Sequence, residues 1–123
     1  MKFAKWVFTA AAIYGLIVLV PPLFLEATVV KMSGLPMGYP EYYYGFTLTA
    51  IAFQAVFFII GRDPQRYRPL MLAGVLEKLS FGVPVWLLYA QHRLGQAGVL
   101  PFATIDLGLG VLFATSYVTI PKA

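Results

Sequence analysis

Four side chains carry whatever chemistry this chain has at depth: Gln54, Glu77, Lys78 and Asp106. Each falls inside a run of apolar residues. An ionisable group at the centre of such a run costs about 2.5–3.5 kcal/mol on insertion scales, so its presence calls for a reason. Two carboxyls, an ammonium and an amide at that depth can seat the polar end of a ligand or pass a proton. They can also simply satisfy one another and fix one packing. Glu77 and Lys78 are neighbours in sequence, so on a helix they point about 100° apart and should not fully satisfy each other.

Other chemistries are poorly supplied. The chain has no cysteine, hence no disulfide, thiolate nucleophile or thiolate metal site. Its one histidine, His92, lies in a loop beside Arg93, where solvation is the ordinary reading. The carboxyls can serve as acid and base, but no nucleophile–base constellation and no cluster of metal ligands is visible. No catalytic residue, metal or cofactor is therefore assigned, and enzymatic activity is the least favoured reading.

The elements that hold these residues follow from composition. Of 123 residues, enough for one domain, 60% are hydrophobic and 11% charged. Soluble domains carry about 25% charged residues, so this surface has too little charge to face water all round. A mean hydropathy of +0.79 agrees. The expectation is an integral membrane protein whose outer surface is solvated by lipid. A helix crosses the hydrocarbon core in about 20 residues. Four segments qualify, at about 3–25, 42–60, 70–89 and 99–120. Barrel strands would be about half as long and would alternate apolar with polar. The expected fold is all-α: a four-helix transmembrane bundle, up-down-up-down, in a single domain.

Proline and glycine mark the breaks. The run from Gly34 through Pro36 and Gly38 to Pro40 cannot continue a helix. Asp63-Pro64 reads as a cap followed by proline at the first helical position, and Arg68-Pro69 opens the third span in the same way. Pro101 sits near the start of the fourth span, where a missing N–H costs little. Pro21-Pro22 should either kink the first helix or end it, leaving 23–30 as a short second piece. A cleaved signal peptide is the rival reading of this first segment, but Leu25 stands where a small residue is wanted.

Lys and Arg set the orientation. One side holds Lys2, Lys5, Arg62, Arg66, Arg68 and Lys122; the other holds Lys31 and Arg93. Both termini are therefore expected in the cytoplasm. The net charge of +4 does not point to nucleic acid, because the basic residues lie at segment ends and not on one face. The segment from Arg62 to Arg68 orients the chain and can meet anionic headgroups. Tyr39, Tyr42, Tyr43 and Tyr44 at one boundary, with Trp6 and Tyr67 at the other, suit the aromatic belts. Gly108 and Gly110 lack the four-residue spacing of a helix-dimer motif.

Depth arithmetic then pairs the polar residues. At about 1.5 Å per residue, Gln54 and Glu77 both lie roughly 10–12 Å from the cytoplasmic ends, Lys78 roughly 14 Å, and Asp106 roughly 9 Å from the outer side. The expected contacts are a Gln54–Glu77 hydrogen bond and a Lys78–Asp106 ion pair. Glu26 and Glu41 sit at outer ends and can reach water. Interior stripes are expected at Thr47, Ala50, Gln54 and Gly61; at Gly74, Glu77, Ser80 and Pro84; and at Asp106, Gly110 and Phe113, because small residues allow close helix approach.

Several of these runs have a familiar look. They are Glu41-Tyr42-Tyr43-Tyr44-Gly45-Phe46, Phe53-Gln54, Ile60-Gly61-Arg62-Asp63-Pro64, Arg66-Tyr67-Arg68-Pro69, Glu77-Lys78, Asp106-Leu107-Gly108 and Gly110-Val111-Leu112-Phe113. Together they resemble a group of small bacterial four-helix membrane proteins, over most of the chain. The resemblance implies this topology and a bacterial inner-membrane location. More loosely, Gln54-Ala55-Val56-Phe57-Phe58 before a basic, proline-containing loop is similar to DoxX-like proteins and the emopamil-binding (EXPERA) fold. Sigma-receptor-type EXPERA proteins carry an acidic residue one turn before this glutamine, where this chain has Ala50. Sterol isomerases use a buried histidine, whereas His92 is in a loop, so the resemblance does not extend to isomerase chemistry.

Three functions compete on these residues. The first is binding of a lipophilic or lipid-like ligand among Gln54, Glu77, Lys78 and Asp106. It requires an internal cavity with polar groups facing it. The second is an accessory or assembly subunit of a larger membrane complex, with a packed interior and outer faces left for a partner. The third is proton-coupled transport, which would require a homo-oligomer because four helices enclose no wide path; no inverted repeat is visible.

Overall fold

A computed structural model describes residues 2–34, 38–95 and 97–121. The described residues form five α-helices: α1 (Lys2–Leu19), α2 (Glu26–Ser33), α3 (Pro40–Arg62), α4 (Leu70–Ala90) and α5 (Leu100–Thr119). Four stretches, Lys2–Phe24, Pro40–Arg62, Leu70–Ala90 and Ala97–Thr119, are long and apolar enough to cross a membrane. They match the four expected spans to within a few residues.

The α-helix of the first span ends at its prolines instead of bending through them. The last α-helical bond of this stretch runs from Val20 N to Leu16 O at 3.0 Å. Pro21 and Pro22 have no N–H to continue the ladder, so the chain tightens into a 3-10 turn over Pro21–Phe24. Leu25, at φ −127° and ψ 37°, then turns it into α2. Glu26 in the first turn of α2 and Lys31 in the last complement its dipole. Two tyrosines of α3 hold this piece in place. Tyr43 donates to Pro22 O, and Tyr44 donates to Glu26 Oε1, both at 2.9 Å. Gly34 and Gly38 turn the chain at φ 71° and 75°; 35–37, the middle of the expected break, lie outside the described residues, as does Lys122.

At the other end of α3 the sequence reading needs correction. Asp63 closes α3 and does not open a helix. Its Oδ1 accepts from Arg66 N at 3.3 Å, and the chain runs through turns until Leu70. Arg68 reaches across to α5. Its Nε donates to Tyr117 O at 3.0 Å while the guanidinium lies 3.9 Å from the centroid of the Tyr117 ring. A cation at a carbonyl of the last turn is favoured by the helix dipole.

The helices pack as two antiparallel pairs. α1 lies closely on α3, and α4 on α5. The pairs meet through α1 and α5, whereas α3 and α4 touch sparingly. Glycine sets both tight crossings. A Cβ on Gly61 would fall 2.5 Å from Thr9 Oγ1, and one on Gly82 would fall 2.6 Å from Leu107 Cγ. The apolar core sits at the end that carries Lys2 and Ile120. There Phe8, Phe57 and Phe113 cluster with Met71, Ile60 and Ala4. Phe8 stacks on Phe113 at 4.1 Å and Phe57 meets Phe113 edge-on at 5.0 Å. Gly74 lets both Phe57 and Phe113 press against α4.

The α3 stripe is as expected: Thr47, Ala50, Gln54 and Gly61 are all buried. That of α4 is rotated. Met71, Gly74, Lys78, Gly82 and Val85 are buried, while Ser80 and Pro84 are exposed and Glu77 is half-buried. Packing of α5 over Gly82 and the ring cluster over Gly74 turn Lys78 to the interior, which leaves Glu77 at its margin. On α5, Gly110 and Phe113 are buried with Ala103 and Ser116, and Asp106 is half-buried.

Candidate functional site

Lys78 organises the polar interior. Its side chain is 3% exposed. Its Nζ lies 3.5 Å from Glu77 Oε2 on the same helix and 3.6 Å from Asp106 Oδ1 on α5. The third side is aromatic, with Nζ 5.2 Å from the centroid of Phe57. The expected Lys78–Asp106 contact is formed. It forms across the α4–α5 packing, where Gly110 faces Lys78 Cβ at contact distance.

Both ion-pair distances are long. Charge-assisted N–H···O bonds run to about 2.7–2.9 Å. The ammonium is therefore shared between two carboxylates and tightly bound to neither. Glu77 Oε2 is shut off from solvent and accepts no hydrogen bond. As the adjacency of Glu77 and Lys78 implies, the pair leaves Glu77 incompletely satisfied.

The expected Gln54–Glu77 hydrogen bond is not formed. Gln54 Nε2 donates at 2.7 Å to Ala50 O of its own helix. Its Oε1 lies against Gly15 of α1, in the space a Cβ there would fill, and has no hydrogen-bond partner. The reason is azimuth. α3 turns Gln54 toward α1, with which it packs closely, and not toward α4. Sequence reasoning also missed Tyr14. Its hydroxyl is buried without a partner and lies within electrostatic reach of Asp106. Lying in α1, where no charge drew attention, it had no signal beyond being the one phenol at mid-span.

The sparse α3–α4 contact leaves a cleft of about 350 Å³. Phe46, Thr49, Ala50 and Phe53 line it from α3, and Ala73, Leu76, Glu77 and Ser80 from α4. Of these, Phe46 also stacks on Phe81 of α4, with ring centroids 5.6 Å apart. Ser80 Oγ donates to Glu77 O at 2.6 Å, so that hydroxyl is spoken for within the helix. The walls are otherwise apolar. Glu77 thus has two neighbours: Lys78 on the inner side and this cleft on the outer. Gln54, Lys78 and Asp106 do not line the cleft. Of the four candidate residues, Glu77 alone touches both regions. Among the described residues no group of three or more His, Cys, Asp or Glu is placed to hold a metal.

Comparison of the chain with protein-family models, curated proteins and solved structures finds no match.

Proposed function

We propose that this chain binds a lipophilic or lipid-like molecule in the cleft between α3 and α4, with Glu77 as the polar anchor. The observation that carries the reading is the cleft itself: about 350 Å³, apolar-walled, with one carboxyl at its margin. Small-molecule sites are concave, mostly apolar and of about 300–1,000 Å³, with a few polar groups to set orientation. The cleft lies along the middle of two spans, so an occupant enters from the acyl-chain region. Lys78 stands behind Glu77, between it and Asp106. The distribution of Lys and Arg supports a cytoplasmic position for both termini, and the resemblance to small bacterial membrane proteins supports an inner-membrane location.

Native mass spectrometry on protein extracted gently from its own membrane tests this. A single chain with a reproducible small-molecule adduct is expected, and Ala73→Trp, which fills the cleft, should remove it without lowering the thermal midpoint. Co-purification at fixed stoichiometry with other subunits, and no small molecule, would replace ligand binding with the accessory-subunit reading.

A further inference from the structure

The polar cluster holds two acids and one base. Facing it, α4 contributes Glu77 and Lys78, and α5 contributes Asp106. α1 presents the Tyr14 hydroxyl, and α3 presents the Phe57 ring, which does not titrate. With every group in its usual aqueous state the cluster would carry one uncompensated negative charge at membrane depth. An unpaired charge there is expensive, and two carboxylates that share one site do not both ionise readily. One ammonium at 3.5 and 3.6 Å cannot neutralise both.

We propose that the cluster is a proton-binding site that holds one exchangeable proton, carried by Glu77. The neutral arrangement is a Glu77 carboxylic acid beside a Lys78–Asp106 ion pair. Glu77 takes the proton because its Oε2 is closed to solvent and, when ionised, has no donor beyond the Lys78 ammonium, which it must share with Asp106. It also lines the cleft, the open side from which a proton carrier or a reagent can reach it without disturbing the ion pair. The inference does not depend on a ligand occupying the cleft.

The test uses the full chain in lipid vesicles, with no ligand added, and dicyclohexylcarbodiimide, a membrane-soluble reagent that modifies protonated carboxyls. Intact-mass measurement with peptide mapping should show one adduct per chain, on Glu77. Glu77→Gln should lose it. Asp106→Asn should lose it too, because Lys78 then has Glu77 as its sole partner and holds it ionised. A cluster that is merely structural gives a different pattern: no adduct on wild-type Glu77, or equal labelling in wild type and Asp106→Asn. Either result overturns the proposal. Infrared spectroscopy on the wild type reads the same proton without relying on how a variant folds. A protonated-carboxyl carbonyl band is expected, and its absence would equally sink the idea.

Discussion

Lys78 Nζ lies 3.6 Å from Asp106 Oδ1 across the α4–α5 crossing, and among the described residues this is the one polar contact of the interior that joins two helices through opposite charges. Gly110 sits one turn from Asp106 and faces the Lys78 Cβ, so the two helices run in contact beside the pair.

Removing the cation should therefore cost more than removing the pair. Lys78→Met leaves Asp106 and Glu77 with no opposite charge, and breaking one partner of a buried pair typically costs about 3–5 kcal/mol. The double variant Lys78→Met/Asp106→Asn leaves only Glu77, which a proton neutralises. Thermal unfolding in detergent should place the double variant above Lys78→Met. Equal midpoints would mean that Asp106 does not depend on Lys78.

Gln54 and Gly15 define the closest approach of α1 and α3 at mid-membrane, since the amide oxygen fills the place of a Gly15 Cβ. Gly15→Ala should drive Gln54 off its rotamer and destabilise the bundle by about 1–3 kcal/mol, the usual range for overpacking. Adding Gln54→Ala should restore most of the loss. If Gly15→Ala alone is neutral by thermal unfolding, the two helices have room that this packing denies them.

These two contacts show what was legible in advance. Helical rise gives depth, and depth alone found Lys78 and Asp106, whose helices pack tightly in sequence order. The same arithmetic put Gln54 level with Glu77 but had no access to azimuth, so it paired Gln54 with α4 when its face belongs to α1. Spans were readable from apolar length and from Pro21, Pro40, Pro69 and Pro101. The cleft was not, because it arises where α3 and α4 fail to pack, and no residue type announces a missing contact. The rotation of α4 was hidden likewise: Glu77 and Lys78 are both polar, and only the glycines at 74 and 82 decide which of them turns inward.

Glycines of one helix type should respond oppositely to alanine. A Cβ on Gly82 would fall 2.6 Å from Leu107 Cγ and 3.1 Å from Ala103 O, whereas one on Gly108 meets nothing within 4 Å. Gly108→Ala should stabilise by about 0.5–1 kcal/mol through helix propensity alone. Gly82→Ala should cost about 1–3 kcal/mol, since a backbone carbonyl cannot step aside. Midpoints measured side by side settle it: a Gly82→Ala protein as stable as Gly108→Ala would mean that α4 and α5 are not in close contact there.

His92 has a role that needs no chemistry. It adopts φ 57°, and the chain ends α4 with two reversed bonds, His92 N to Tyr89 O at 3.1 Å and Arg93 N to Leu88 O at 2.8 Å. This is the Schellman arrangement, in which the left-handed position is normally glycine. An L-residue there carries a steric cost of about 1–2 kcal/mol. Glycine relieves that cost but gives back part of it by loosening the unfolded chain. His92→Gly should thus raise the thermal midpoint modestly, by the equivalent of about 0.5–1 kcal/mol, and leave ligand adducts and Glu77 labelling as in wild type. A lowered midpoint would show that the imidazole makes a stabilising contact, and lost labelling would tie this loop to the polar cluster about four helical turns away.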